Sequence, residues 1–200
     1  MRNIIVMMQT TLNNKIAIDQ GVFWEPFPWG DQEMEVVNEH FRQCDTWVMG
    51  RRLYEAVMPW WEVVASGQIP DDVAAVSDID RDFADILKDM TKVVVSHSME
   101  PTDQREVIAG DIGARLLDMK SQPGRNVMLS AGPETLGPLL DAPGLVDELL
   151  LPVHPVVLPT GPGLFDKVTR QLALRPIEIT RFEGGALLLR YSVTAHPGAG

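Results

Sequence analysis

The feature of this sequence that most constrains its fold is a series of short apolar runs that alternate with amphipathic helical segments. Residues 3–9 (NIIVMMQ), 92–96 (KVVVS) and 126–130 (NVMLS) have the length and continuous apolar character of strands that are covered on both faces. Between them, residues 78–90 place apolar side chains on one face at helical spacing. This alternation predicts an α/β fold with a mostly parallel central sheet.

The remaining segments fit the same pattern. In chain order we expect a helix at 31–43, a strand at 45–49, a short helix at 51–57 that ends before Pro59, an irregular stretch at 59–76, a strand at 105–109, helices at about 112–121 and 134–141, and a strand at 146–153. Residues 172–182 and 186–193 flank Gly184-Gly185, which predicts an antiparallel hairpin at the C-terminal edge of the sheet. We expect a single domain over residues 1–195 and a frayed tail at 196–200.

Composition and charge narrow the class of partner. The chain has 200 residues, of which 45% are hydrophobic and 22% charged, so one packed domain is expected. The net charge of −11 argues against nucleic acid, although two or three local cations would suffice for a small anionic ligand. No apolar stretch is long enough to span a membrane, and the N-terminus lacks the features of a secretory signal.

The single cysteine excludes an internal disulfide and suits a reducing compartment, so we expect a cytoplasmic location. Cys44 is interpreted as a small buried residue near a helix end rather than as a catalytic thiol, because no histidine or acid beside it indicates activation. The sequence also lacks H-x-x-x-H, C-x-x-C and clustered acids, so we predict no metal site.

Three predicted strand ends carry groups suited to ligand binding, which in open α/β sheets occurs beyond the carboxyl ends of the strands. Gly50 is followed by Arg51 and Arg52 at a helix start, where cations are unusual unless an anion lies between them and the helix amides; the alternative is a solvated surface. Residues 95–98 (VSHS) could bind a phosphate or ribose, or form an ordinary turn. Residues 129–135 (LSAGPET) could admit a pyrophosphate, or be a tight turn.

Five segments together resemble one known family: TLNNKIA, WVMGRRLYE, KVVVSHS, LSAGPETLGPLL and GLVDELLLPVHPVVLPTGPGLF. Over about residues 3–193 the chain resembles a stand-alone version of the reductase domain of the bifunctional riboflavin-biosynthesis deaminase-reductase, and more distantly dihydrofolate reductase. The last segment is the most specific part of the resemblance, although many of its residues are expected to pack a strand or shape a loop. The resemblance implies a dihydrofolate-reductase-like three-layer fold, with the C-terminal hairpin antiparallel to an otherwise mostly parallel sheet, and a site for NADPH.

The resemblance also implies roles for particular residues. Gly50, Arg51 and Arg52 would hold phosphate, and Ser96 and His97 would lie near the adenosine 2′-phosphate. The pyrophosphate would be wrapped by the segment Ala131, Gly132, Pro133, Glu134, Thr135 and Leu136, with a strained peptide between its first two residues. Residues 10–16, including Thr11, would border the nicotinamide. Arginine beside a 2′-phosphate favours NADPH over NADH.

The sequence departs from the family mainly on the substrate side. Many relatives have Asp-Gly where this chain has Asn13-Asn14, and the riboflavin-pathway reductase has a substrate-contacting glutamate where this chain has Ser130. The zinc deaminase signature is absent. We therefore expect a shared fold and cofactor site, and a substrate that the sequence does not identify.

Aromatic residues and one acid are the candidates for the substrate side. The loop at residues 20–30 carries Trp24, Phe27 and Trp29, and we expect it to fold over the core or over a ligand. Asp31 matches the position of the dihydrofolate reductase acid and is either a proton donor with a raised pKa or a helix N-cap. Trp60 and Trp61 would either stack on a substrate ring or be buried in the core or in a dimer interface. We favour burial in the core or an interface.

The leading hypothesis is an NADPH-dependent reductase that transfers hydride to a small conjugated heterocycle, carbonyl or imine. A non-catalytic NADPH-binding sensor and dihydrofolate reductase activity are the alternatives. We expect a homodimer, because the hairpin at 172–193 and the apolar segment 149–158 need cover. His154 is interpreted as a hydrogen-bonded structural residue.

Overall fold

A nine-stranded sheet forms the centre of the protein. The computed structural model describes residues 1–16, 27 and 29–194. In chain order the strands are β1 (Ile4–Met7), β2 (Thr10–Thr11), β3 (Cys44–Gly50), β4 (Thr91–Val95), β5 (Glu106–Ile108), β6 (Asn126–Ser130), β7 (Glu148–His154), β8 (Ala173–Arg181) and β9 (Leu187–Thr194). Their order across the sheet is β5-β4-β3-β6-β1-β7-β9-β8, with β2 beside β7. The strands from β5 to β7 are parallel, whereas β9 pairs antiparallel with both β7 and β8.

Within the described part of the chain, five helices cover the two faces of this sheet. They are α1 (Asp31–Arg42), α2 (Arg51–Ala65), α3 (Asp78–Lys88), α4 (Ile112–Ser121) and α5 (Pro133–Asp141). The side chains of β1 alternate between the two faces: Ile4 and Val6 join one buried cluster, and Ile5 and Met7 join the other. Because the helices bury both faces, the central strand β1 is apolar at every position, as the sequence predicts. The expected three-layer α/β architecture is confirmed.

Helix α2 differs from the prediction, because it continues through Pro59 to Ala65. A proline inside a helix removes one backbone hydrogen bond and normally ends or kinks the helix. Here tertiary packing outweighs that cost: the ring of Trp61 packs edge-on against Phe83 of α3 at 4.7 Å, and Met58 and Val64 are buried. The prediction that the helix ends before Pro59 and that residues 59–76 are irregular is therefore wrong for the first seven of those positions.

The other differences lie at element ends. The strand predicted at 3–9 ends at Met7, and the separate two-residue strand β2 pairs with Val153 and His154 of β7. The hairpin between β8 and β9 is confirmed, and its turn contains Gly185 at φ 87°, a conformation that favours glycine. Within the described residues, none of the helices has the length and apolar character needed to cross a membrane. Trp24 and the tail predicted at 196–200 lie outside the described residues.

Candidate functional site

The three strand ends that the sequence singles out are neighbours in the sheet. Strands β4, β3 and β6 lie side by side and parallel, so Ser96, Gly50 and Ser130 come to the same edge. The fit between two of these segments is close: a Cβ atom on Gly50 would lie 3.7 Å from the Cα of Ala131 and 4.0 Å from the backbone nitrogen of Gly132. The turns that follow β3 and β6 therefore form one continuous backbone surface.

The turn after β6 presents amides to this edge. Gly132 is the N-cap of α5 and Pro133 is its first residue, so no side chain caps the helix. The amides of Thr135 and Leu136 donate to the carbonyl oxygen of Gly132, at 3.1 and 2.9 Å. Among the described residues the amides of Gly132 and Glu134 have no acceptor, and these are the donors that an anion could use.

Some residues of this turn serve the fold rather than a ligand. The side chain of Leu136 is fully buried in the core, and the Glu134 carboxylate is exposed and forms an ion pair with Lys167 at 3.0 Å. Gly132 has φ −73° and ψ 171°, an ordinary extended conformation, so the expected strain at its peptide with Ala131 is not found. The backbone amides of this turn and the half-buried hydroxyl of Thr135, which has no hydrogen bond to a described residue, remain as ligand donors.

The start of α2 combines free helix amides with two guanidinium groups. Its N-cap is Gly50, which offers no capping side chain, and its first two residues are Arg51 and Arg52, both exposed. Arg51 donates from Nε to Glu55 at 2.7 Å and from Nη1 to Ser98 Oγ at 2.5 Å. Arg52 has no hydrogen bond or ion pair to any described residue. Positive charge at an uncapped helix start is unfavourable unless an anion offsets it.

The turn after β4 is held by its own hydroxyl group. Ser96 is buried, and its Oγ accepts hydrogen bonds from the amides of Ser98 at 3.2 Å and Met99 at 3.1 Å. His97 is exposed at the tip of this turn. Of the two residues predicted near a 2′-phosphate, Ser96 therefore shapes the turn and His97 is available to a ligand.

Thr11 lies at the end of β2, on the other side of β1. Its Oγ1 donates to Asn13 at 2.8 Å and accepts from the amide of Lys15 at 2.9 Å, which fixes the turn over residues 11–15. Asn14 adopts φ 65° in this turn, a conformation that asparagine tolerates better than most residues. Thr11 is 1% exposed and both hydrogen bonds of its side chain lie within the turn, so only its backbone could border a ligand.

A small cavity lies beside these strand ends, under α1 and α2. Its volume is about 110 Å³. The described side chains that line it are mostly aromatic, aliphatic or methionine: Met7, Met8, Gln9, Trp29, Met34, Val37, Phe41, Trp47, Leu53, Val57, Trp61, Phe83 and Ser130. None of these is charged. A cavity of this kind, next to a cofactor edge, fits the flat apolar part of a substrate.

Two side chains supply most of the cavity's polarity. Ser130 is 1% exposed, and its Oγ accepts a hydrogen bond from the indole Nε1 of Trp47 at 2.9 Å. Gln9 Oε1 accepts a hydrogen bond from His154 Nε2 at 3.0 Å. Ser130 is among the site residues predicted from the sequence, whereas Trp47 and Gln9 are not. Trp47 could not be predicted because only the register of β3 against β6 brings it to the face that Ser130 occupies.

The described part of the aromatic loop packs beside this cavity. Phe27 is buried with its ring 5.0 Å from that of His154, and the half-buried Trp29 lies 5.5 Å from the same ring. Trp29 also lines the cavity. The expectation that this loop folds over the core or a ligand is met by these two residues, and His154 is the buried, hydrogen-bonded residue that the sequence predicts.

Asp31 lies outside the cavity. It is the first residue of α1, and its side chain is exposed. Of the two predicted roles the N-cap role is wrong, because the N-cap is Gly30, whose amide donates to Glu33 Oε2 at 3.1 Å; the role of proton donor stays a prediction. The chain uses an acid two residues further on, Glu33, to satisfy the helix start.

Two other features are set apart from this site. A wider groove of about 800 Å³ lies between α2, the end of α3 and the starts of β4 and β5, so it opens at the amino ends of the strands. Cys44 is buried, and burial raises the pKa of its thiol to about 12, which leaves it unreactive as expected. Among the described residues no group of three histidines, cysteines or acids could hold a metal ion.

Comparison with known proteins identifies the family. The model of the RibD C-terminal domain matches residues 2–188, and the chain therefore belongs to this family. Among curated proteins it is similar to the uncharacterized protein YyaP of Bacillus subtilis, with 25% identity over 154 residues and 76% of each chain covered. The resemblance on which the sequence analysis relies is thus confirmed.

Solved structures confirm the dihydrofolate-reductase-like fold. A putative riboflavin biosynthesis protein from Shewanella superposes with a TM-score of 0.67 at 20% identity, over 96% of this chain and 99% of its own. A pyrimidine reductase-like protein from Corynebacterium diphtheriae gives 0.62 at 15% identity, over 98% and 93%. The deaminase-reductase of Thermotoga maritima gives 0.65 at 14% identity, over 96% of this chain, which spans only 57% of that protein.

Proposed function

We propose that this protein is an NADPH-dependent reductase that transfers hydride to a small planar substrate. The observation that carries the proposal is the meeting of two uncapped helix starts at one sheet edge. The amides of Gly132 and Glu134 and the guanidinium of Arg52 are donors without partners among the described residues, and they lie on adjacent segments. Membership of a reductase family supports the same function.

The residues present fit a dinucleotide phosphate. The close approach of the Gly50 and Ala131 backbones leaves no bulky side chain at this edge, so a pyrophosphate can approach the amides of α5. Arg51, Arg52 and His97 surround the space beyond the ends of β3 and β4, where a 2′-phosphate would be held. NADPH bound in this position would supply the hydride.

The protein's own groups then orient the substrate and exclude water. The cavity beside Ser130 would receive a flat ring, with Trp29 and Met34 among its walls. Apolar walls favour a conjugated ring over a charged sugar phosphate, since a charge buried there would have no described partner. Because Asp31 is exposed and outside the cavity, the proton of the reduction would come from water or from a group outside the described residues.

The function is tested by NADPH oxidation against pterins, flavin precursors and quinones, followed at 340 nm. We expect turnover of at least one of these classes, and we expect Asp31→Ala to retain it. Loss of turnover in Asp31→Ala would instead support Asp31 as the proton donor. Tight NADPH binding without turnover of any compound would instead favour the non-catalytic NADPH sensor.

We also propose that two copies of the chain pair through the C-terminal edge of the sheet. Strand β8 is the last strand, and its outer face exposes Leu174, Ile177 and Ile179, with Ile179 62% exposed. An apolar edge strand in water tends to pair with another strand or another molecule. A second copy, related by two-fold symmetry, would cover these side chains and the edge strand.

A further inference from the structure

The cavity beside Ser130 contains a buried hydrogen-bond donor that has no acceptor among the described residues. The Oγ of Ser130 accepts from the indole of Trp47, and among the described residues no acceptor lies within reach of its own O–H group. A buried hydroxyl normally satisfies both roles, and leaving one unsatisfied lowers stability. The fold therefore holds a directed donor in a cavity whose other described walls are apolar except for Gln9.

Trp47 fixes this donor in place. Its ring packs edge-on against Phe41 at 4.9 Å and lies 6.3 Å from Phe83, so the indole has little freedom to turn. Because the indole N–H occupies one lone pair of Ser130, the hydroxyl proton is directed away from Trp47. Such a preset donor is suited to one acceptor atom of a ligand in a fixed position.

The rest of the cavity determines what kind of ligand carries that acceptor. The described walls are formed by methionine, tryptophan, leucine and valine side chains, and no charged group is among them. A carboxylate or phosphate buried there would lose its hydration without gaining an ion pair. A volume of about 110 Å³ is smaller than the roughly 150 Å³ cavity that binds benzene, so the enclosed part of a ligand is limited to one ring at most.

We propose that Ser130, held by Trp47, donates a hydrogen bond to a carbonyl oxygen of an uncharged, single-ring planar substrate. This inference rests on the proposed reductase function and names the class of substrate for the same site. In the reduction a C–H bond forms at the carbonyl carbon with hydride from NADPH, which becomes NADP⁺, the π electron pair of C=O moves to oxygen, and water supplies the proton. Ser130 stabilises the negative charge that develops on that oxygen.

The test measures binding of three matched rings: acetophenone, ethylbenzene without the oxygen, and 4-acetylbenzoate with an added charge. Methyl groups of ¹³C-labelled methionine report the binding, because Met7, Met8 and Met34 line the cavity while Met1 is fully exposed and serves as a reference. We expect acetophenone to bind about fivefold more tightly than ethylbenzene, the effect of one neutral hydrogen bond. We expect 4-acetylbenzoate to bind at least about tenfold more weakly than acetophenone.

Two variants separate this role from a purely structural one. Ser130→Ala should remove the preference for acetophenone and leave ethylbenzene binding unchanged. If the serine has only a structural role, the same substitution should leave the ratio of the acetophenone and ethylbenzene affinities unchanged. Trp47→Phe keeps the hydroxyl but removes its anchor, so it should reduce the preference in part; it also serves if Ser130→Ala does not fold. Equal binding of the two neutral rings, or an unchanged preference in both variants, would overturn the proposal.

NADPH affinity is measured on the same samples by cofactor fluorescence. In the parent protein, the absence of an acetophenone preference together with normal NADPH binding would reject the role of Ser130 alone. Absent NADPH binding with a normal acetophenone preference would reject the reductase function and leave the hydrogen-bond donor in place. The two proposals therefore fail in different measurements.

Discussion

Replacing Arg52 by alanine is the most informative change at the cofactor edge. Arg52 is exposed at the start of α2 and has no partner among the described residues, whereas Arg51 is engaged with Glu55 and Ser98. A charge-assisted hydrogen bond to phosphate contributes about 1.5–3 kcal/mol, and solvent screening at an exposed site reduces this to just below that range, about 1.4 kcal/mol. We therefore expect Arg52→Ala to weaken NADPH binding about tenfold.

The assay is a fluorescence titration with NADPH and with NADH at low and high ionic strength. The parent should prefer NADPH by at least about tenfold, and added salt should reduce that preference, because the phosphate is held near the surface. Arg51→Ala should have a smaller effect, since Arg51 must first leave Glu55. Arg125→Ala, at the opposite end of β6, is the matched control and should change nothing. Equal affinities for the two cofactors in the parent would refute the assignment of Arg52 to a 2′-phosphate.

Three further predictions concern the loop, the assembly and pH. Trp29→Ala should lower turnover and leave NADPH affinity nearly unchanged; a loss of roughly 3–5 kcal/mol in a thermal melt would show that Trp29 serves the core instead, and Trp24→Ala, outside the described residues, is tested in the same way. Light scattering should give twice the chain mass of 22.2 kDa, and Ile179→Lys should shift it to the monomer mass; a monomeric parent would contradict pairing. Burial lowers the pKa of His40, so the unfolded chain binds that proton more readily and the free energy of unfolding should fall as the pH drops below about 6.5; an equal fall in His40→Gln would assign the effect to other groups.

The sequence predicts the sheet and most helices well because their apolar periodicity is strong. The limits of α4 and β6 match the structure, and α1 and α3 differ only at their C-terminal ends. The prediction fails where long-range packing overrides a local signal. Pro59 is a strong local stop, but Trp61 gains enough contact with Phe83 to keep α2 helical beyond it.

The cofactor edge is more predictable from sequence than the substrate side. Gly50 and Ala131 each end a recognisable strand, and parallel strands bring their ends to one edge whatever the register. The cavity depends on which side chains face each other across strands, which is set by register. Trp47 is an ordinary aromatic residue in the sequence, and only its pairing with Met128 brings its indole to Ser130. Asp31 matches a family acid by its position in the chain, and its side chain is exposed at the start of α1, so its role as proton donor stays a prediction.

Mapping NADPH binding onto the backbone amides by ¹H–¹⁵N NMR tests the central claim most directly. We predict a saturable titration in which the largest shifts fall on the amides of Gly132 and Glu134 and on residues 51–53, with smaller changes at His97. NADH should produce the same pattern with smaller changes at residues 51–53 and His97. Shifts concentrated instead on Lys92 and Arg105 in the wider groove, or the absence of any saturable change, would contradict the placement of the cofactor at the carboxyl ends of β3, β4 and β6.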